Sequence, residues 1–423
     1  MSLASAMLAA GALPPLVHDL AICLCAAVVF AVICEYLRLP HALGFIAAGL
    51  TIGPPGLMLV SSPEDIQIMA DLGIVMLLFL IGIELDFEAL VRRGRALLIA
   101  GALQVPLTIG AALVLWLLIA RGAGWSLSAT EALYLAMACA FSSTLLVVKS
   151  LESRGRMHGI FGTLCIGLLL AQDLWALLIL ALQPAPSADL ATLAAPLVGT
   201  AVVTLLAFEP GRRIIGGLVA RFHRSPELMG LTAVGWCLVC AVVAGGLEDL
   251  TRSASSPIPL SSGAGMGAFV AGVTLASLPK AREIVHRLIG LRDFLIVFFF
   301  VSLGMAIPWP IETSHLLVAA LLVALVSTMR FIVAAPLLRL GGTQRLLAAA
   351  VAAQMAQLSE LGLVITYVGH DLGHVGVEVI TVVVLGFVIT SALMPWLDTL
   401  ASRLNGNYAE VAPAEVTPAE VTP

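Results

Sequence analysis

The sequence predicts an all-α integral membrane protein with about 13 transmembrane helices. Of its 423 residues, 60% are hydrophobic and 11% are charged, whereas an ordinary soluble domain has about 25% charged residues. Apolar segments long enough to cross a bilayer as helices recur along the whole chain. The net charge of −5 leaves no basic surface of the kind that binds nucleic acid. The composition therefore indicates a protein whose partner is the lipid bilayer.

Thirteen apolar segments, separated by short polar loops, define the predicted spans. They cover about residues 15–37, 40–54, 66–86, 96–119, 128–149, 158–182, 190–208, 227–247, 262–278, 291–307, 313–338, 346–369 and 375–397. Residues 401–423 end in the repeat AEVTPAEVTP. Because this segment is polar, contains proline and is poor in apolar residues, it predicts a disordered cytoplasmic tail.

Basic residues predict the orientation of the chain in the membrane. If the N-terminus is outside, the cytoplasmic loops hold eighteen of the 21 Lys and Arg residues, and the outer loops hold only Arg121 and Arg252. Cytoplasmic loops collect Lys and Arg. We therefore expect a multi-pass protein of the cell inner membrane, with its N-terminus outside and its C-terminus in the cytoplasm. The remaining basic residue, Arg330, lies inside a predicted span.

Asp173 is an acid in the middle of an apolar span, LLLAQDLWALLIL. With about ten apolar residues on either side, it lies near the bilayer midplane. An ionisable side chain at that depth costs at least ~2.5 kcal/mol and needs a partner, a proton or a hydrated cavity. The residue is therefore a candidate ion or proton site. The alternative is a neutral aspartic acid that is hydrogen-bonded to a neighbouring helix.

Arg330 is the natural electrostatic counterpart of a buried carboxylate. Its guanidinium stays charged when buried, so it can balance either Asp173 or Glu360, which lies near the middle of the twelfth span. The alternative is that the side chain extends to the cytoplasmic interface, about eight residues away along its span.

Two spans contain polar interruptions that predict broken helices. The fifth span contains three consecutive hydroxyl residues, Ser142, Ser143 and Thr144, and the twelfth contains the run AQMAQLSELG with Ser359 and Glu360. Broken helices expose backbone groups that can coordinate ions when they line a protein cavity. Seven spans separate the two interruptions, and this odd offset predicts inverted-topology repeats. The glycines of GAGMGAFVAGVTLA, in the ninth span, instead predict close helix packing.

Six segments in chain order carry a family resemblance. They are GFIAAGLTIGPPGL, LGIVMLLFLIGIELD, AFSSTLLVVKSLESRG, LLLAQDLWALLIL, GMGAFVAGVTLASLP and FFFVSLGMAI. Over about residues 15–400 the chain resembles the second family of monovalent cation:proton antiporters, most of all its glutathione-gated potassium-efflux branch. The resemblance implies a homodimer in which a core domain, crossed by two unwound helices, moves against a dimerisation domain. The core would be about 96–182 and 313–397, the dimerisation domain about 15–86 and 227–307, and the linker helix about 190–208.

The resemblance also assigns roles to residues. The family's ion-binding aspartate falls on Asp173, and Gln172 precedes it as in the potassium branch, where electrogenic sodium relatives have a second Asp. The cationic residue of the core falls on Arg330. The polar residues of the two crossed breaks fall on Ser142, Ser143, Thr144, Ser359 and Glu360. The branch usually continues into a cytosolic nucleotide-binding domain, which we expect this chain to lack. Gating by glutathione or nucleotide is therefore not carried over.

The predicted function is exchange of a monovalent cation, potassium in the first place and sodium as the alternative, for a proton. One carboxylate, Asp173, can hold either ligand, and Gln172 adds no charge, so the exchange is expected to be electroneutral with alternating access. A cation channel is the rival reading, but no filter or pore loop is evident. An enzyme is not expected, since the histidines lie in loops or near span ends without ligand spacing. No cofactor or metal is expected, and no motif identifies a regulatory subunit.

Overall fold

The computed structural model describes residues 14–37, 39–84, 94–157, 159–183, 190–222, 225–253, 263–276, 278 and 280–411. Among these residues helices are the regular elements, and no strand occurs. The all-helical class predicted from the sequence is therefore confirmed for the described part of the chain.

The described helices follow the apolar segments of the sequence. In the first half of the chain they are α1 (Pro15–Tyr36), α2 (His41–Ile52), α3 (Pro63–Glu84), α4 (Arg95–Ala123), α5 (Ala129–Ala138), α6 (Thr144–Ser153), α7 (Ile160–Leu182) and α8 (Leu190–Pro210). In the second half they are α9 (Gly216–Arg221), α10 (Pro226–Ser253), α11 (Gly263–Ala276), α12 (Ala281–Ala306), α13 (Thr313–Met329), α14 (Ala335–Leu340), α15 (Arg345–Gln354), α16 (Glu360–Asp371), α17 (Val377–Ala392) and α18 (Met394–Val411). Two π-helical segments, Gly211–Ile215 and Arg330–Ala334, join α8 to α9 and α13 to α14.

Seven of the described helical spans are long and apolar enough to cross a membrane, and the bent pair α17–α18 can form an eighth. The bend in that pair is 52°. Three further predicted spans fall on shorter apolar helices, α2, α11 and α15. The chain is therefore a multi-pass membrane protein, while the number of thirteen spans remains a prediction.

The chain divides into two compact units. The first contains Met1–Phe87, Asp173–Ala319 and Leu363–Val388, and the second contains Glu88–Gln172, Ala320–Gly362 and Ile389–Pro423. These bounds differ from those of the predicted domains, since residues 173–182, 313–319 and 363–388 of the predicted core fall in the first unit. The division into a moving core and a dimerisation domain remains a prediction.

Glycines bring the helix backbones of the first unit into direct contact. A Cβ atom added at Gly272 of α11 would lie 2.1 Å from the carbonyl oxygen of Phe79 in α3. On the opposite side of α11, a Cβ at Gly267 would lie 2.3 Å from the carbonyl oxygen of Cys240 in α10. Real side chains do not tolerate such distances, so α11 fits between α3 and α10 only because both positions are glycine. The close packing predicted from the glycines of this segment is confirmed.

An acid that the sequence analysis did not single out anchors α1. Asp19 is fully buried, and its Oδ2 accepts hydrogen bonds from the backbone N–H groups of Ser61, at 3.0 Å, and Ser62, at 2.8 Å. These donors lie just before α3, where N–H groups at a helix start lack partners within the helix. Asp19 therefore has a structural role in joining α1 to the start of α3.

The second unit extends further along the C-terminus than the sequence suggested. The tail was expected to begin at residue 401, but α18 continues to Val411. Ala401 is fully buried in the aliphatic core of this unit, and Nη1 of Arg156 donates to Oγ of Ser402 at 2.8 Å. Arg154 also forms an ion pair with Asp398. These contacts stabilise the helix beyond its apolar part, and residues 412–423 of the predicted tail lie outside the described residues.

Candidate functional site: two interrupted helices in contact

The first predicted interruption separates α5 from α6. The helix α5 begins with a capping box, in which Ser128 and Glu131 each accept from the other's backbone N–H, and it ends at Ala138. Residues 139–143 are not helical. The next helix, α6, begins at Thr144, with Oγ of Ser143 accepting from the N–H of Leu146 at 3.2 Å. Serine is a favourable N-cap because its oxygen satisfies an N–H that has no partner within the helix.

The second predicted interruption separates α15 from α16. Residues 355–359 are not helical, and Oγ of Ser359 accepts from the N–H of Leu361 at 3.1 Å at the start of α16. Within this break, the N–H of Leu358 donates to Oγ1 of Thr390 at 3.3 Å. Side chains therefore satisfy backbone groups that the missing helical turn would otherwise have paired. Both broken helices predicted from the sequence are present.

The two breaks contact each other through serine side chains. Oγ of Ser142 donates to the carbonyl oxygen of Met355 at 2.7 Å. Oγ of Ser143 donates to Oε1 of Glu360 at 2.6 Å. Ser142 and Ser143 are buried, and Glu360 is the first residue of α16, where the partial positive charge of the helix N-terminus favours an acid. Thr144 is exposed, so it does not share the buried environment of the two serines.

Two buried glutamines support the first break, and one of them was missed by the sequence analysis. Oε1 of Gln172 accepts from the N–H of Ser142 at 2.8 Å, and its Nε2 donates to Oε1 of Gln104 at 2.8 Å. Nε2 of Gln104 donates to the carbonyl oxygen of Ala140 at 3.1 Å and to Oγ1 of Thr108 at 3.3 Å. The only sequence signal for Gln104 is an isolated amide in the apolar run GALQVPL.

Small residues explain why the two glutamines meet. A Cβ atom added at Gly101 would lie 2.9 Å from Cβ of Ala171, and one added at Gly167 would lie 2.5 Å from Cδ1 of Leu97. The helices α4 and α7 therefore pack closely along this face. Gln104 lies one helical turn after Gly101, on the same face of α4, so its amide reaches the residue that follows Ala171.

Arg330 also bonds to the first break. Its side chain is fully buried, and Nη1 donates to the carbonyl oxygen of Ala140 at 2.9 Å. The residue opens the π-helical segment Arg330–Ala334, which precedes Pro336. Proline removes an N–H from the helical ladder, and π-helical turns are frequent at functional sites. Complete burial excludes the reading in which this side chain extends to the interface.

The other two N–H positions of that guanidinium, Nε and Nη2, have no hydrogen-bond partner among the described residues. Among the described residues, the guanidinium therefore donates to a single oxygen, the carbonyl oxygen of Ala140, which also accepts from Gln104. Whether Arg330 balances Asp173 or Glu360 remains a prediction.

Asp173 follows Gln172 directly on α7 and is half-buried. The position in the interior of a long apolar helix agrees with the sequence analysis. Its role in ion or proton binding is taken up below as a proposal. The oxygen atoms of the breaks, from serine hydroxyls, backbone carbonyls and a carboxylate, are hard ligands of the kind that suit simple cations rather than soft metals.

A family model described as the transmembrane sodium/hydrogen exchanger matches residues 22–399. The chain is 28% identical over 371 residues to the iron transporter MagA of Paramagnetospirillum magneticum, covering 86% of this chain and 81% of that protein. It is 31% identical over 271 residues to the glutathione-regulated potassium-efflux protein KefC of Escherichia coli, covering 64% of this chain. It is 28% identical over 326 residues to K(+) efflux antiporter 5 of Arabidopsis thaliana, covering 74% of this chain. The chain spans 42% and 54% of the length of these last two relatives.

The fold resembles that of a solved transporter. The sodium proton antiporter MjNhaP1 of Methanocaldococcus jannaschii superposes with a TM-score of 0.66 at 17% sequence identity, covering 92% of this chain and 99% of that one. At this identity the likeness concerns the fold alone. Since the family model covers most of the chain and the fold agrees, this protein belongs to the family of transmembrane sodium/hydrogen exchangers.

Proposed function

We propose that this protein exchanges a monovalent cation, potassium in the first place, for protons across the cell inner membrane, by an electroneutral alternating-access mechanism at Asp173. The observation that carries the proposal is the contact between the two interrupted helices, through Ser142 and Met355 and through Ser143 and Glu360. In transporters, discontinuous helices of this kind form the sites of substrates and coupling ions.

The chemistry of exchange follows from a single carboxylate. Asp173 is neutralised either by a proton or by a monovalent cation, so the two ligands compete for it. Either loaded state can cross the apolar barrier, whereas the empty, charged carboxylate crosses poorly because an isolated charge is costly in hydrocarbon. Ser142, Ser143, Ser359 and Glu360 are proposed to contribute oxygen atoms that replace part of the cation's water. Arg330 is proposed to balance the negative charge.

Gln172 supports the electroneutral form of the mechanism. Its amide oxygen accepts from Ser142 and its amide nitrogen donates to Gln104, and the side chain carries no charge. One positive charge would then move in each direction per cycle, as a cation or as a proton.

Potassium is favoured over sodium by the potassium-efflux relatives and by Gln172 in the position where electrogenic sodium relatives have an acid. Because the chain is also similar to an iron transporter and to a sodium proton antiporter, transport of iron and of sodium must be measured alongside that of potassium. We further propose that the N-terminus lies outside and the C-terminus in the cytoplasm. In the proposed homodimer, about residues 15–86 and 227–307 form the interface, about 96–182 and 313–397 form the moving core, and 190–208 link the two.

The test uses everted membrane vesicles in which an acid interior is reported by a pH-sensitive dye. Addition of potassium should release protons and restore the fluorescence, sodium should do so more weakly, and ferrous iron should have no effect. Vesicles with Asp173→Asn should give no response to any of the three ions. Proton movement with iron alone, or cation flux as an ohmic current without proton exchange, would overturn the proposal.

A further inference from the structure

The break between α5 and α6 leaves two backbone groups close together that are each bonded by a different glutamine. The carbonyl oxygen of Ala140 accepts from Gln104, and the N–H of Ser142 donates to Gln172. The two amides are also bonded to each other, with Nε2 of Gln172 donating to Oε1 of Gln104 at 2.8 Å. The three hydrogen bonds form one continuous network. Both glutamines are almost completely buried, at 1% and 2% exposure, so these bonds are shielded from bulk solvent.

The direction of each amide is fixed by the backbone. Because an N–H can only donate, Gln172 must turn its oxygen to Ser142 and its nitrogen away. Because a carbonyl can only accept, Gln104 must turn its nitrogen to Ala140 and its oxygen to Gln172. If either amide were reversed, two like groups would face each other in the protein interior, which is costly for buried polar groups.

We propose that Gln104 is a positioning residue. It presents only its oxygen to the side chain at position 172, so that side chain must donate a hydrogen bond, and an acid placed there would be held in its protonated, uncharged form. This inference rests on the proposed function, since its consequence is the charge carried per transport cycle. An ionised carboxylate has no proton to donate and would place an oxygen against Oε1 of Gln104. Gln104 would thus disfavour a second charge beside Asp173 when position 172 carries an acid.

An acid introduced by Gln172→Glu has two ways to fit the network. It can keep its proton and donate it to Oε1 of Gln104, or it can lose the proton and force Gln104 to turn its oxygen towards the carbonyl oxygen of Ala140. Arg330 already donates to that carbonyl, but one donor does not remove the contact between two oxygens. The hydrogen-bond geometry therefore favours the protonated acid, whereas the buried charge of Arg330 favours the ionised one, and we expect the geometry to prevail as long as Gln104 is present.

The experiment records infrared difference spectra of purified, lipid-reconstituted protein at neutral pH. The Gln172→Glu spectrum minus the wild-type spectrum should contain the carbonyl band of a protonated carboxylic acid, and this band should be lost when Gln104→Met is added. The comparison is needed because Asp173 is adjacent in sequence and its charge would also favour a protonated neighbour. A band that persists in the double variant, or that is absent in the single variant, would overturn the proposal.

Transport gives a second readout in the same variants. Gln172→Glu alone should keep a reversal point that does not move with the membrane potential, and the double variant should acquire a voltage-dependent one. The infrared band does not depend on transport. If the wild-type protein showed no exchange, the proposed function would be disproved, and the infrared spectra would still decide whether Gln104 keeps an acid at position 172 protonated.

If Gln172→Glu does not fold, a thermal double-mutant cycle tests the same bond. The variants are Gln104→Met, Gln172→Met and their combination, in which methionine keeps the length of the side chain. The melting shift of the double variant should be smaller than the two single shifts added together, because the bond between the amides is lost in each single variant. Additive shifts would show that the two glutamines act independently and would overturn the proposal.

Discussion

Asp173 is the residue on which the proposed exchange depends. Asp173→Asn should abolish cation-dependent proton movement while the protein still inserts and folds, because an amide can neither release a proton nor balance a bound cation. The matched control is Asp71→Asn in α3, since this exposed acid accepts a hydrogen bond from Tyr367 and has no role in the proposed site. Vesicle assays and thermal melting should show a folded, inactive first variant and an active control. Proton-coupled exchange by Asp173→Asn would contradict the mechanism.

Arg330 combines a buried charge with a bond to the break. Arg330→Ala removes the donor to Ala140 and leaves a cavity, so we expect a loss of about 2 kcal/mol in stability and a changed pH profile of exchange. Arg330→Lys can still donate to the same carbonyl oxygen and should retain much of both properties. Melting and pH-dependent exchange of the two variants provide the measurement. An alanine variant with wild-type values for both would show that the guanidinium does not support the site.

The sequence singled out the charged residues of the proposed site, but it did not single out Gln104, one of the buried polar residues of the first break. Asp173 and Arg330 stand out because ionisable side chains are rare and costly inside apolar spans. Gln104 does not stand out, because a single amide in an apolar helix often has no functional role. Its role depends on bonds to Gln172 and Ala140, which are 68 and 36 residues away in the chain. Such distant pairs follow from helix packing, which the local pattern does not contain.

At the scale of helices, the hydroxyl of Ser143 makes two hydrogen bonds with different roles. It caps α6 and donates to Glu360 in the first turn of α16. Ser143→Ala should therefore cost about 1 kcal/mol from the lost cap and should also reduce exchange, since the contact between the two breaks is weakened. The neighbouring variant Thr144→Ala is the control, because Thr144 is exposed and should change little. Equal effects of the two substitutions on melting and exchange would argue against the contact.

Packing of α11 against α3 depends on the absence of a side chain at Gly272. Gly272→Ala places a methyl group against the carbonyl oxygen of Phe79, and a backbone atom cannot move aside as a flexible side chain can. We expect a loss of about 1–3 kcal/mol in stability. Gly235→Ala in α10, where a Cβ meets nothing within 4 Å, should be neutral or stabilising by up to about 1 kcal/mol. Thermal unfolding in detergent compares the two, and an unaffected Gly272→Ala protein would show that α3 and α11 separate easily.

For the whole molecule, hydropathy predicted the class of fold because the bilayer admits few solutions for a buried backbone. The broken helices were also predictable, since runs of Ser, Thr and Gln interrupt the apolar pattern at two places. The end of α18 was not, because residues 402–411 carry a polar sequence whose order depends on contacts such as Arg156 with Ser402. Local composition favours disorder there, and packing against the second unit overrides it.

For the whole molecule, the proposed mechanism makes a definite prediction of the net charge moved per transport cycle. With Asp173 as the one carboxylate that titrates and a neutral Gln172, each cycle should exchange one cation for one proton and move no net charge. In proteoliposomes with a fixed cation gradient, the reversal point should stay constant when an ionophore for a non-transported ion clamps the membrane potential. A potential contributes ~2.3 kcal/mol per charge per 100 mV, so a single net charge would be easily visible.

A voltage-dependent reversal point would identify a second titrating group. Glu360 is the first candidate, because Ser143 already binds its carboxylate at the contact between the breaks. Glu360→Gln should then restore an electroneutral cycle if that residue carries the additional proton. If the wild-type protein is electroneutral, as we expect, Glu360→Gln should leave the stoichiometry unchanged and affect only the rate, since the amide can still accept from Ser143 but no longer carries a charge at the start of α16.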